Sequence, residues 1–228
     1  MDFISLVKTL RREVGATGVD TTVANPVADS EWDRLIHWVA DSWNEIQLLH
    51  ANRWKWMRKT MTFASTTAGK GAYTKAELGL TDHAEWLRKT FRAYLTSIGT
   101  SNEQYLAYMP YDAFRNAYLY ATARDNQGRP AIVSIDPSDG IILWPAPSDA
   151  YTIVADYRAT PSALVNDTDT PEMPERFHML IVYEAMKKYA IFKAASEVYQ
   201  RGEIEARRIM AALKIDQLEP IRRGGSLI

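Results

Sequence analysis

The histidines at positions 37, 50, 83 and 178 are the only imidazoles of the chain. Imidazoles ligate metals or move protons near neutral pH. No two of them have the spacing of an HExxH pair, and each falls in a different segment, so all are expected to be structural or surface residues. Asp167 and Asp169, in NDTDTPE, alternate as calcium-loop acids do. The Gly and Glu that such a loop requires further on are missing, and the stretch reads as a solvated linker. Ala68-Gly69-Lys70-Gly71 lacks the spacing of a phosphate loop and reads as a hairpin turn. Ser134, Ser138 and Ser148 have no nucleophile-elbow context. Glu203 and Glu205 stand two apart on an expected helix and do not face each other. The absence of cysteine excludes disulfides, thiolate metal sites and cysteine nucleophiles. No catalytic, cofactor-binding or metal-binding set is therefore expected. One enzymatic alternative stays open: carboxylates of the chain's middle could converge in space, as in a cell-wall-cleaving glycoside hydrolase.

Arg53-Trp54-Lys55-Trp56-Met57-Arg58 is the other suggestive run. It could stack the bases of a single-stranded nucleic acid. Alternatively, the tryptophans cap a core while the cations reach solvent, a composition that also suits a protein interface. With 27 basic and 28 acidic residues among 228, the net charge is -1, which favours the second reading. No apolar run approaches the ~18 residues of a membrane span, and no signal-peptide core precedes the first helix. A soluble, folded protein made inside the cell is expected, without membrane association.

The elements that would position these residues follow from periodicity. Phe3, Leu6, Val7 and Leu10 predict a helix over 3–14, ended by Gly15 after Arg11 and Arg12. A long polar loop, 16–29, follows. Ser30 is a candidate N-cap, and Trp32, Leu35, Ile36, Val39, Trp43 and Ile46 keep helical spacing to about Asn52. Trp38 and Leu48 lie off that stripe, which leaves the helix a second apolar face. Strands are expected at 60–63, 72–74 and 86–97, then two helical pieces over 102–121 divided at Pro110. Further strands are expected at 131–135, 140–144 and 151–158, the first two joined by Asp136–Gly140 as a tight hairpin. A Pro-rich linker, 161–174, leads to a helix whose stripe is Phe177, Leu180, Ile181, Ala185, Tyr189 and Phe192. A last helix runs from about Ser196 to Leu218 and stops at Pro220.

This order predicts an α+β fold. The N- and C-terminal helices form one bundle, 1–57 with 161–220, and an antiparallel β-rich subdomain, 58–160, is inserted between them. On the last helix, Ile209, Met210 and Leu213 form a face distinct from Ile204, Arg208, Ala211 and Ile215. With Trp38 and Leu48, they are candidate subunit-interface residues. The tail 221–228 (IRRGGSLI) is either a frayed end or an arm that orders on a partner. As an arm, Ile221, Leu227 and Ile228 would be apolar anchors, and Arg222 and Arg223 would be carboxylate partners.

Three passages carry a family likeness: FISLVKTLRREVG with the later WDRLIHWVADSWNEIQLLHANRWKWMR; GIILWPAPSDAYTIVADYRATPSAL; and DTPEMPERFHMLIVYEAMKKYA. In this order the chain resembles, over nearly its full length, the head-to-tail adaptor (connector) proteins of tailed bacteriophages. The resemblance implies a structural, non-enzymatic virion protein of the head–tail neck, assembled in the host cytoplasm. It implies a homo-oligomeric ring, dodecameric in the family, that sits beneath the portal protein and extends the DNA channel. The ring would offer a docking surface to a tail, stopper or nozzle protein, and genomic DNA would pass through it transiently. The helical bundle would form the ring body and the C-terminal arm would engage the portal. No cofactor is implied. A near-neutral chain suits a conduit, since each phosphate neutralised would hold the passing DNA more tightly.

Overall fold

A computed structural model describes residues 1–17, 22–23, 26–28, 30–64 and 66–219. Two compact units are present, one of Met1–Met57 with the chain from Pro161 onward, the other of Arg58–Thr160.

The first unit is helical. Its elements are α1 (Phe3–Val14), α2 (Glu31–Leu48), α4 (Met179–Lys193) and α5 (Ser196–Gln217). Asp2 caps α1 by accepting the Ser5 N–H at 3.0 Å, and Gly15 ends it with φ 65°. Ser30 caps α2 through the Asp33 N–H at 3.0 Å. α2 stops at Leu48, short of the expected Asn52, and a 3-10 turn (Leu49–Asn52) follows in which His50 and Ala51 take left-handed backbone angles. The reversal lets Trp54 fold back and donate its indole N–H to the Ile46 carbonyl at 2.9 Å. The core joins Phe3, Leu6 and Leu10 of α1 to Leu35, Val39 and Trp43 of α2 and Leu180, Ile181 and Met186 of α4. α5 adds only a narrow stripe: Gly202, Ala206, Leu213 and Gln217. Gly202 suits the close approach there, because a Cβ would stand 3.2 Å from the Tyr183 carbonyl of α4.

The linker after Thr160 is structural. Gln47 clasps the backbone of Ser162, accepting its N–H at 2.8 Å and donating to its carbonyl at 2.9 Å. The same carbonyl accepts the Trp43 indole N–H at 2.8 Å. Backbone carbonyls of Asp169 and Asp167 accept the Phe3 and Ile4 N–H groups at the start of α1, and the Asp167 carboxylate accepts the Val23 N–H. These acids thus satisfy N–H groups that a helix leaves unpaired.

The second unit is β-rich. Its strands are β1 (Arg58–Phe63), β2 (Ala72–Tyr73), β3 (His83–Trp86), β4 (Arg92–Leu95), β5 (Gln104–Tyr105), β6 (Ala107–Tyr108), β7 (Gln127–Gly128), β8 (Ile132–Ile135), β9 (Ile141–Trp144), β10 (Ala146–Pro147) and β11 (Tyr151–Ala159), with helix α3 (Tyr111–Tyr118). β11 is the hub. β1 pairs along one edge with Arg58 opposite Arg158, and β3 and β4 share the other. The chain therefore enters and leaves this unit side by side. A second sheet has the order β2-β9-β8-β6. Phe91, just before β4, and Ile153 and Ala155 of the first sheet share one core with Val133, Ile141 and Leu143 of the second.

Two expectations need correction. The stretch 86–97 is not one strand. Thr90 breaks it, donating its hydroxyl to the Leu87 carbonyl and accepting the Asp156 N–H. Residues 103–109 are not helical but include β5 and β6, because the edges of β4 and β8 take up their backbone groups. The pairings β6–β8 and β10–β7 are parallel, short exceptions in an otherwise antiparallel unit.

Buried histidines couple both units to pH. His83 lies against Trp86 and Tyr157, and neither ring nitrogen has a hydrogen-bond partner. Burial holds its pKa below 6.5, with Lys75 acting in the same sense against Asp139 and Asp82. His178 is also held down, first by burial and then by the N-terminal amine, against its bond to the Met173 carbonyl and the Glu175 charge. The unfolded chain binds these protons from about pH 6.5 downward while the folded chain resists them, so stability is full above that pH and falls below it. Denaturant titrations at descending pH are expected to show this loss, and His83→Phe is expected to flatten it. Equal pH slopes for the two proteins would refute the assignment.

Candidate interaction surfaces

Several carboxylates of the β-rich unit are committed to structural partners. Lys59 and Tyr157 hold Asp82 at 2.9 Å each and outweigh burial, so its pKa is lowered. Arg58 and Thr60 do the same for Asp156. Glu77 is lowered to about 2 by Lys70 and the Thr74 N–H. A cavity of about 280 Å³ is lined by Glu85, Asp136 and Asp139. There Asp136 accepts the Ser138 and Gly140 N–H groups, Asp139 pairs with Lys75 at 3.3 Å, and Glu85 lies 3.8 Å from Arg158. A glycosidase acid needs a raised pKa, and the shifts at Asp82, Asp156 and Glu77 run the other way. The hydrolase alternative finds no support here.

The tryptophan run is part of the helical core. Trp54 is buried, and Trp56 stacks on it at 4.8 Å and on Trp43 at 6.4 Å. Lys55 reaches the Asp216 carbonyl of α5 at 2.6 Å. These rings close one end of the bundle and are not a bare platform for bases.

The candidate interface residues divide into three kinds. Leu213 is wholly buried in the bundle, so it belongs to the core and not to an outer face. α5 turns this side toward α4 because Gly202 and Ala206 allow close approach. Ile209 and Met210 are half-buried against the same core. Trp38 is half-buried too, its ring edge-on to Tyr189 at 5.9 Å and tilted on Phe192 at 5.6 Å. Leu48 is 59% exposed. The outward face of α5 carries Ile204, Arg208, Ala211 and Ile215, the last 85% exposed. The arm residues Ile221, Arg222, Arg223, Leu227 and Ile228 lie outside the described residues.

Periodicity missed one surface. Phe192, expected in the buried stripe of α4, is 51% exposed, with the Arg34 guanidinium 4.7 Å above its ring. Ile191 beside it is 71% exposed. α4 is apolar nearly all round, so spacing alone could not choose its inner side. Ile191 borders a shallow groove of about 340 Å³ between the end of α4 and the start of α5, floored by Ala190, Ala194 and Ala195.

Among the described residues no cluster of His, Cys, Asp and Glu could hold a metal, and no helix is long and apolar enough to cross a membrane. The sequence pattern of the SU10 adaptor protein family matches residues 1–225. No curated protein matches the chain.

Proposed function

We propose, since the chain belongs to the SU10 adaptor protein family of phage head-to-tail adaptors, that it is a ring component of the virion neck. Its structural adaptor role follows from the family. The finer assignment is ours: many copies, dodecameric by resemblance, form a ring beneath the portal protein and lengthen the DNA channel toward the tail. The match over nearly the whole chain carries this reading. Exposed apolar side chains at both ends of the helical unit support it, since soluble proteins seldom leave such groups unpartnered in clusters. In this assignment the helical unit, 1–57 with 161–220, is the ring body, 58–160 is an appended subdomain, and 221–228 is the portal-docking arm.

The arm offers the direct test. Deleting 221–228 is expected to weaken binding to the portal protein by about a hundredfold, as the loss of two charge-assisted arginine bonds implies. The unfolding midpoint is expected to stay unchanged, because the described core is complete without these residues. Undiminished portal binding by the truncated chain would rule out the arm.

A further inference from the structure

The two ends of the helical unit are unlike and complementary. Glu31 pairs with Lys193 at 3.0 Å and Glu45 with Lys188 at 2.6 Å, so α2 and α4 run antiparallel. Leu48 stands 17 residues beyond Glu31, about 25 Å along the helix at 1.5 Å per residue. It therefore lies at the end of the unit opposite the α4–α5 groove.

At the Leu48 end, α2 breaks off into His50 and Ala51, with φ 56° and 52°. Non-glycine residues take that conformation only where surrounding structure imposes it, and such sites often serve binding. The break leaves Leu48 and Leu49 exposed side by side. The last turn of α5 adjoins them through the Lys55–Asp216 bond, placing Ile215 at the same end. Arg53 and Lys214 are exposed there, have no ion-pair partner among the described residues, and outweigh the exposed acid Glu219. The opposite end carries the reverse features. Its groove is walled by Ile191 and Tyr199 over alanines, so it has room for a branched apolar side chain. The charges beside it are Lys193, paired with Glu31, Arg201, paired with Glu13, Arg34, which lies over the Phe192 ring, and the exposed Glu197, which has no ion-pair partner among the described residues.

We infer that the Leu48–Leu49 corner of one copy seats in the α4–α5 groove of the next copy, with Arg53 and Lys214 facing Glu197. This inference rests on the multi-copy reading above and names the contact that reading leaves open. A knob and a groove at different ends of one rigid bundle cannot satisfy each other within a chain. Between chains they make a heterologous contact, which repeats head to tail and closes when the rotation per copy permits a ring.

The absence of cysteine makes the test clean. Two single-thiol chains, Leu48→Cys and Gln200→Cys, carry different tags, are mixed in equal amounts and are mildly oxidised. Both positions are exposed, and Gln200 lines the groove. Random collision yields equal totals of mixed and like-with-like dimers. The inferred contact is expected to yield about a threefold excess of mixed dimers, the preference that even one exposed ion pair confers. Equal totals, or no dimers, would overturn the contact. The ring assignment would stand apart from that outcome, because it is tested by copy counting in particles.

Discussion

Trp43→Ala is expected to cost the helical unit about 3–5 kcal/mol, the loss that follows removal of a fully buried large aromatic. Three structural roles converge on this ring. It is wholly buried in the core of the helical unit, it stacks with Trp56, and it donates to the Ser162 carbonyl at 2.8 Å. That last bond, with the Gln47 clasp, fixes the chain where it returns to the helical unit. Small proteins hold only about 5–15 kcal/mol in total, so the variant is expected to be partly unfolded at physiological temperature. Trp43→Phe keeps most of the packing and loses the indole bond, and about 1 kcal/mol is expected. Denaturant unfolding of the three proteins checks the order. A Trp43→Ala cost no larger than that of Trp43→Phe would show that the clasp, and not the ring, secures the junction.

What could be read from residue order was what local physics decides. Gly15 after two arginines, Ser30 before an acidic turn, and Asp136–Gly140 between apolar runs each state their structure within a few residues, and α1, α2 and the β8–β9 hairpin bear them out. The misreadings arose where a distant partner decides. Residues 104–108 become strands because β4 and β8 offer them edges, and no nearby residue announces those edges. Thr90 divides a run that alternates well enough for one strand, through a bond to residue 156. Which apolar residues the helices leave exposed was legible only in part. Leu48 off the main stripe of α2 pointed outward correctly. Leu213 and Phe192 exchanged their expected roles, since α4 and α5 carry apolar residues on more than one side. The groove depends on the left-handed turn at Ala194, for which a non-glycine residue gives no signal.

The neck assignment makes a large prediction of its own. A ring built by one heterologous contact has a single copy number, and a ring seated on a portal ring of matched symmetry inherits the portal's number. The chain is therefore expected in every mature particle and at a fixed ratio. An assembly helper would be used and shed, and an enzyme acting on the cell wall would have no reason to match the portal. Exposed patches at both ends of the helical unit fit the neck assignment, because in a ring each copy buries two surfaces that the isolated chain leaves in water. The most direct measurement is quantitative mass spectrometry of purified phage particles, comparing peptides of this chain with peptides of the portal protein. Equal copies of the two are predicted; absence of this chain from the particles would contradict its place in the neck.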